Sequence, residues 1–152
     1  MTGFLLDTNI LSEFARTGEP DPHVDRWLKA TAEEFLFASV LTFAEIRRGI
    51  ELLHAGKRRT QLEQWQDDLV ASFAMRLLPV SEAIADRWAV LSAQTQRKGF
   101  TLANIDGLIA ATALEHALTL VTRNVRDFTG VAVPLFNPWE AGTGASLPPN
   151  LA

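Results

Sequence analysis

The apolar runs of this chain are short. Phe4-Leu5-Leu6 stops at Asp7, Phe35-Leu36-Phe37-Ala38 is similarly brief, and so are Arg76-Leu77-Leu78-Pro79-Val80, where the proline suggests the end, and Thr119-Leu120-Val121-Thr122. Runs of this length bounded by turn or polar residues read as buried strands, because a buried helix needs a longer apolar stripe. Ala132-Val133-Pro134-Leu135-Phe136 adds a fifth candidate, and its proline suits a sheet edge, where a missing N–H leaves no ladder bond broken.

Helical spacing fills the intervals. Thr8 or Asn9 is placed to cap a helix beginning Ile10-Leu11, and Pro22 to open one through Trp27 and Leu28. Phe43, Ile46, Ile50 and Leu53 recur at three and four residues toward Gly56, and residues 58 to 73 are helical and mixed in polarity. Ile84, Trp88, Leu91 and Thr95 mark a helix closed by Gly99. Ile105, Leu108, Ile109 and Thr112 share a face of another, where Ala110, Ala111 and Ala113 would allow close approach to a sheet. Buried strands alternating with helices predict an α/β fold: a three-layer α/β/α sandwich around a parallel sheet of about five strands.

With 152 residues there is room for one such domain, expected over residues 1–140, followed by a Gly-, Ser- and Pro-rich tail over 141–152 expected to be flexible. Apolar residues at 47% and charged residues at 21% exclude disorder for most of the length. No cysteine is present, so disulfides and thiolate zinc sites are excluded, in keeping with a cytoplasmic location. The start lacks a basic region and its apolar run ends at Asp7, so it does not read as a signal peptide, and no stretch reaches the roughly 20 apolar residues that span a bilayer.

In open parallel sheets the functional crevice lies beyond the carboxyl ends of the strands. Asp7 follows the first strand, Glu45 lies early in the helix after the second, Asp106 opens the alanine-rich helix before the fourth, and Asp127 follows the fourth. Carboxylates about 4 Å apart repel by roughly 4 kcal/mol at an effective dielectric near 20, so a gathered set requires a cation. Oxygen ligands alone suit Mg2+ or Mn2+. Each acid also has a structural reading. Asp7 is placed to cap a helix, and Thr42-Phe-Ala-Glu45 has the form of a capping box with Arg48 one turn beyond Glu45. Asp106 suits a helix macrodipole, and Asp127 is flanked by Arg123 and Arg126. Their joint placement favours a shared site.

Four segments carry a family resemblance: Phe4-Leu-Leu-Asp-Thr-Asn-Ile10, Ser39-Val-Leu-Thr-Phe-Ala-Glu-Ile46, Asn104-Ile-Asp-Gly-Leu-Ile-Ala-Ala-Thr112 and Leu120-Val-Thr-Arg-Asn-Val-Arg-Asp-Phe128, with Phe136-Asn-Pro-Trp139 near the end. In this order they resemble the PIN-domain nucleases, specifically the VapC-type toxins of bacterial toxin–antitoxin systems near the FitB-like branch. The resemblance implies a Mg2+- or Mn2+-dependent endoribonuclease hydrolysing RNA phosphodiesters with metal-activated water. It also implies a homodimer and a cognate antitoxin that inserts a segment into the active-site groove. It marks Asp7, Glu45 and Asp106 as the core acids, with Asp7 and Asp106 as metal ligands. The fourth acidic position falls to Asp127, with Asn124 the uncharged alternative. Thr8, Asn9, Thr122 and Asn124 are supporting positions.

Arg47, Arg123 and Arg126 are the expected RNA-binding residues, whereas Lys57 to Arg59 read rather as a solvated face offsetting Glu51 and Glu63. His23, His54 and His116 occur at unrelated places, and Trp65 and Trp88 read as packing residues. The competing expectation is a PIN-like scaffold of weak activity that binds RNA or regulates transcription with its antitoxin partner. Receiver- or phosphatase-type chemistry is disfavoured, since Asp7 has no adjacent acid and no lysine follows Lys98.

Overall fold

A computed structural model describes residues 3–15 and 18–140. The expected tail therefore lies outside the described residues. Five parallel strands form one sheet: β1 (Phe4–Leu6), β2 (Leu36–Ser39), β3 (Leu77–Leu78), β4 (Thr119–Val121) and β5 (Leu135–Phe136), in the order β3-β2-β1-β4-β5. Six α-helices connect them: α1 (Thr8–Glu13), α2 (Pro22–Ala30), α3 (Val40–Glu51), α4 (Lys57–Phe73), α5 (Glu82–Arg97) and α6 (Asn104–Glu115).

β1 is central and wholly buried, which explains its unbroken Phe-Leu-Leu sequence. Period-two alternation divides its side chains between two cores. Phe4 and Leu6 join Val121 and Phe136 on one face, against Leu11, Trp27, Phe43, Ile46 and Phe73 from the helical layer of α1 to α4. Leu5 and Leu120 point the other way, onto Ile109, Ala110 and Ala113 of α6. These two apolar layers, with the sheet between them, make the expected α/β/α sandwich.

α6 earns its alanines. Ala110, Ala111 and Ala113 have no solvent exposure, and the absence of long side chains brings the helix down onto the strands. On its other side, a Cβ added to Gly107 would stand 2.9 Å from the Trp88 ring, so glycine is what lets α5 and α6 meet there. Trp88 is thus a packing residue, and Trp65 packs at the margin of the larger core.

Local details depart from the sequence expectations. Of the caps the sequence offered for α1, the structure uses Asp7 and not Thr8 or Asn9, its carboxylate accepting from the Thr8 N–H at 2.8 Å. α3 begins two residues before the apparent capping box, and its cap is Ser39, whose hydroxyl accepts from the Leu41 N–H. Ser39 is the last residue of β2, so strand passes directly into helix and Thr42 is carried into the buried face. Ile105 is 40% exposed rather than on the inward face. β5 pairs only over Leu135 and Phe136; Pro134 precedes it and still supplies the carbonyl that accepts from Leu120.

Candidate active site

The strand order reverses between β1 and β4: the chain proceeds outward from β1 through β2 to β3, then crosses back to β4 and β5. A reversal of this kind opens a crevice at the carboxyl ends of the two strands, because their following segments diverge to opposite sides. Asp7 and Thr122 are the residues immediately after β1 and β4. The Asp7 N–H donates to the Val121 carbonyl at 3.0 Å, so the ladder holds their backbones side by side.

Asp7 is 6% exposed, and Thr122 is fully buried. The Thr122 hydroxyl donates to Asp7 Oδ2 at 2.8 Å and accepts from the Asn124 N–H at 3.0 Å. The Asn9 amide donates toward Asp7 Oδ2 at 3.4 Å and toward Thr122 Oγ1 at 3.3 Å, while its carbonyl accepts from the Arg123 N–H at 3.2 Å. Asp7 is therefore both a helix cap and the centre of a polar lattice tying β1 to the turn after β4. One carboxylate serves both roles because its two oxygens face different partners.

The other acids come from separate elements. Glu45 lies in the second turn of α3, and its Oε1 accepts from the Thr8 hydroxyl at 2.8 Å. Asp106 lies in the first turn of α6, and Asp127 in the short 3-10 turn Val125–Phe128 after β4. They share an electrostatic field. The Asp106 carboxyl is pushed up to about 6, first by burial and then by the charges of Asp7, Asp127 and Glu45. Asp7 is also raised, chiefly by burial and further by Asp127, against the opposing hydrogen bonds from Thr122, Thr8 and Asn9. Asp127 thus bears electrostatically on both carboxyls despite its own exposure. Asn124 enters through its backbone N–H.

Among the described residues, no three His, Asp or Glu side chains stand ready-made around a single ion position. The arrangement is an open acidic crevice. Its ligand atoms would be oxygens, and among the described residues none of its four carboxylates is ion-paired to a basic side chain.

The basic residues divide. Arg47 is ion-paired to Glu51 at 2.5 Å, and Arg59 bridges Glu51 and Glu63, so these charges are spent locally. Arg58 donates to the Ala15 carbonyl at 2.7 Å. Arg126 is exposed. Arg123 lies against Trp139, its guanidinium carbon 5.3 Å from the ring centroid, a pairing the sequence reading did not anticipate. The signal available was Phe136-Asn-Pro-Trp139, which follows the strand beside β4 and so arrives next to the turn carrying Arg123.

The chain is similar to known proteins over most of its length. The PIN domain family matches residues 4–134. Toxin FitB of Neisseria gonorrhoeae is 39% identical over 137 residues, covering 90% of this chain and 98% of that one. VapC ribonuclease Y4jK of Sinorhizobium fredii is 36% identical, over 90% and 97% respectively. Among solved structures, FitAcB from Neisseria gonorrhoeae superposes with a TM-score of 0.82 at 39% identity, covering 90% of this chain and 98% of that one. A toxin-antitoxin complex from Klebsiella pneumoniae gives 0.68 at 26% identity, over 90% and 98%. The matched span takes in β1 to β4 and the four acidic positions, and the chain belongs to the PIN-domain family, in the branch that holds FitB and the VapC-type proteins.

Proposed function

We propose that this protein is an endoribonuclease dependent on Mg2+ or Mn2+ and the toxin member of a toxin–antitoxin pair. The observation that carries the reading is the placement of Asp7, Glu45, Asp106 and Asp127, delivered from four separate elements to one crevice at the β1–β4 reversal. Asp7 has a structural role as the cap of α1, but that role does not call for three further acids around it; their mutual repulsion costs stability, and a divalent cation there offsets it. The names of two relatives, a toxin and a VapC ribonuclease, support the same reading.

The donor set fits a hard cation. Asp7 and Asp106 would hold it, in the manner of magnesium sites that use one or two carboxylates and keep several waters rather than a closed protein cage. When bound, such an ion supplies acidity to a coordinated water and stabilises charge developing on phosphodiester oxygens.

The chain's own side chains do the rest. Thr122 and Asn9 fix the orientation of Asp7, as second-layer hydrogen bonds commonly do for ligating carboxylates. Thr8 holds Glu45 by Oε1, which leaves Oε2 to accept a proton from the attacking water. Asp127 adds negative charge at the rim. Water as the nucleophile leaves a 5′-phosphate and a 3′-hydroxyl. Histidine has no part in this scheme. RNA as substrate places the protein in the cytoplasm, where a cognate antitoxin covers the crevice and the toxin pairs as a homodimer. In the described residues no helix is long and apolar enough to cross a membrane.

The test is cleavage of a mixed RNA pool with Mg2+, with Mn2+ and with chelator, comparing the wild type, freed of antitoxin, with Asp7→Asn and Asp106→Asn. Cleavage by the wild type only in the presence of the ion, with both variants folded and inactive, is the expected result. Variants that cut as fast as the wild type, or a wild type that is inert with either ion, would overturn it.

A further inference from the structure

Beside the acidic crevice lies a second cavity, about 220 Å³, lined by Asn9, Ser12, Glu13, Arg123 and Trp139. Its wall is shared with the candidate active site. The Asn9 amide reaches Asp7 and Thr122 on one side, while its carbonyl accepts from the Arg123 N–H on the other. A group seated in this cavity is therefore one residue away from the crevice.

The lining has a particular chemistry. Trp139 is half-buried at the edge of the larger core, which fixes its ring, and its backbone N–H is held by the Asn137 carboxamide. The Arg123 guanidinium rests over that ring, while the residue is otherwise exposed. A rigid indole overlaid by a planar cation is a platform on which an unpaired base stacks, with the cation also available to a neighbouring phosphate. Ser12 and Asn9 add polar groups for a ribose or base edge, and the buried Glu13, whose carboxylate accepts from the Asp21 N–H, also lines the cavity.

We infer that this cavity is a subsite for one unpaired nucleotide flanking the scissile phosphodiester, with Trp139 and Arg123 as its stacking pair. The inference rests on the ribonuclease reading and deepens it: the volume suits a single nucleoside, smaller than a typical drug-sized pocket. A base can enter only when it is out of a duplex, so the subsite selects loops and single strands.

Two measurements separate this proposal from the reading beneath it. The first follows cleavage of an RNA hairpin with a mixed-sequence loop, and of a fully paired duplex of matched length, by wild type, Arg123→Ala, Trp139→Phe and Trp139→Ala. Because Trp139 also packs on the core, Arg123→Ala and Trp139→Phe guard against a variant that merely unfolds. Expected are preferential cleavage of the loop, a rise in KM of roughly tenfold for Arg123→Ala and Trp139→Ala with a smaller change in kcat, near-wild-type behaviour of Trp139→Phe, and a redistribution of cut positions in the sequenced ends.

The second measures binding of the fluorescently labelled loop RNA to Asp106→Asn protein, with and without Arg123→Ala, so that no turnover is needed. Weakened binding with an inert wild type would retain the subsite and sink the nuclease. An active wild type whose KM, cut positions and RNA binding are all indifferent to Arg123→Ala and Trp139→Ala would overturn the subsite, leaving that face to a protein segment instead.

Discussion

The acidic crevice and the α3–α4 surface use the same residue types to opposite ends. On the α3–α4 surface, Glu51 accepts from both Arg47 and Arg59, and Arg59 also engages Glu63. Each of these four charges has an opposite partner within reach, largely in solvent, so the group is locally neutral and contributes little. At the carboxyl ends of β1 and β4, carboxylates act on one another electrostatically, partly removed from water, with hydroxyl and amide donors but, among the described residues, no basic side chain bonded to Asp7. Balanced charge marks a surface, and concentrated like charge on buried strand ends marks a site.

The comparison breaks most decisively at Asp7 and Asp106. Asp7→Asn or Asp106→Asn should lower RNA cleavage by at least about 100-fold in single-turnover assays, since each removes a proposed ligand that the fold positions closely. Retained cleavage would mean that the crowding of acids has no chemical purpose.

Thr122→Val should come next. It removes the donor to Asp7 Oδ2 and the acceptor for the Asn124 N–H while keeping the side-chain volume. Apparent metal affinity, read from cleavage against Mg2+ concentration, should weaken by about 10- to 100-fold with kcat at saturating ion largely restored. Unchanged metal dependence would reduce Thr122 to a structural hydroxyl.

A smaller effect concerns stability without metal. The folded Asp106 carboxyl, at about 6 against its ordinary 3.8, holds its proton more tightly than in the unfolded chain. Stability attributable to this group is therefore present at low pH, falls as pH rises from about 4 to about 6, and stays lost above that. Asp106→Asn should accordingly raise the Tm of the metal-free protein at pH 7.5 and leave it nearly unchanged at pH 4. Asp106 is only half-buried, and screening by solvent limits the gain to about 1 kcal/mol, roughly 3 °C. Added Mg2+ should stabilise the wild type more than the variant, through binding to the folded state alone.

The smallest change is expected on the α3–α4 surface. Glu51→Gln releases Arg47 and Arg59 from their shared partner, yet cleavage should stay within about twofold and the Tm within about 3 °C. A large loss of activity there would show that Arg47 works on RNA despite its ion pair, and the contrast between the two regions would fail.

Much of this was legible in the chain. Phe4-Leu5-Leu6 ending on Asp7, and Thr119-Leu120-Val121 ending on Thr122, announced buried parallel strands with polar residues at their carboxyl ends, because a three-residue apolar run can be hidden on both faces only inside a covered sheet. The alanines of α6 announced close packing, and the four acidic positions were readable from their places after strands and at helix starts.

Which partner each of those side chains would meet was not. Thr42 and Glu45 form a plausible capping box in sequence, but β2 runs directly into α3, Ser39 takes the cap, and Glu45 turns instead to Thr8, 37 residues away. Phe136-Asn-Pro-Trp139 put Trp139 just after the last strand, but its contact with Arg123 is created only when β5 lies beside β4. Local sequence settles period, cap chemistry and burial, since these depend on neighbours within a turn or a strand. Choosing among alternative hydrogen-bond and stacking partners depends on which elements the sheet order sets side by side, and that order emerges only when the whole core packs.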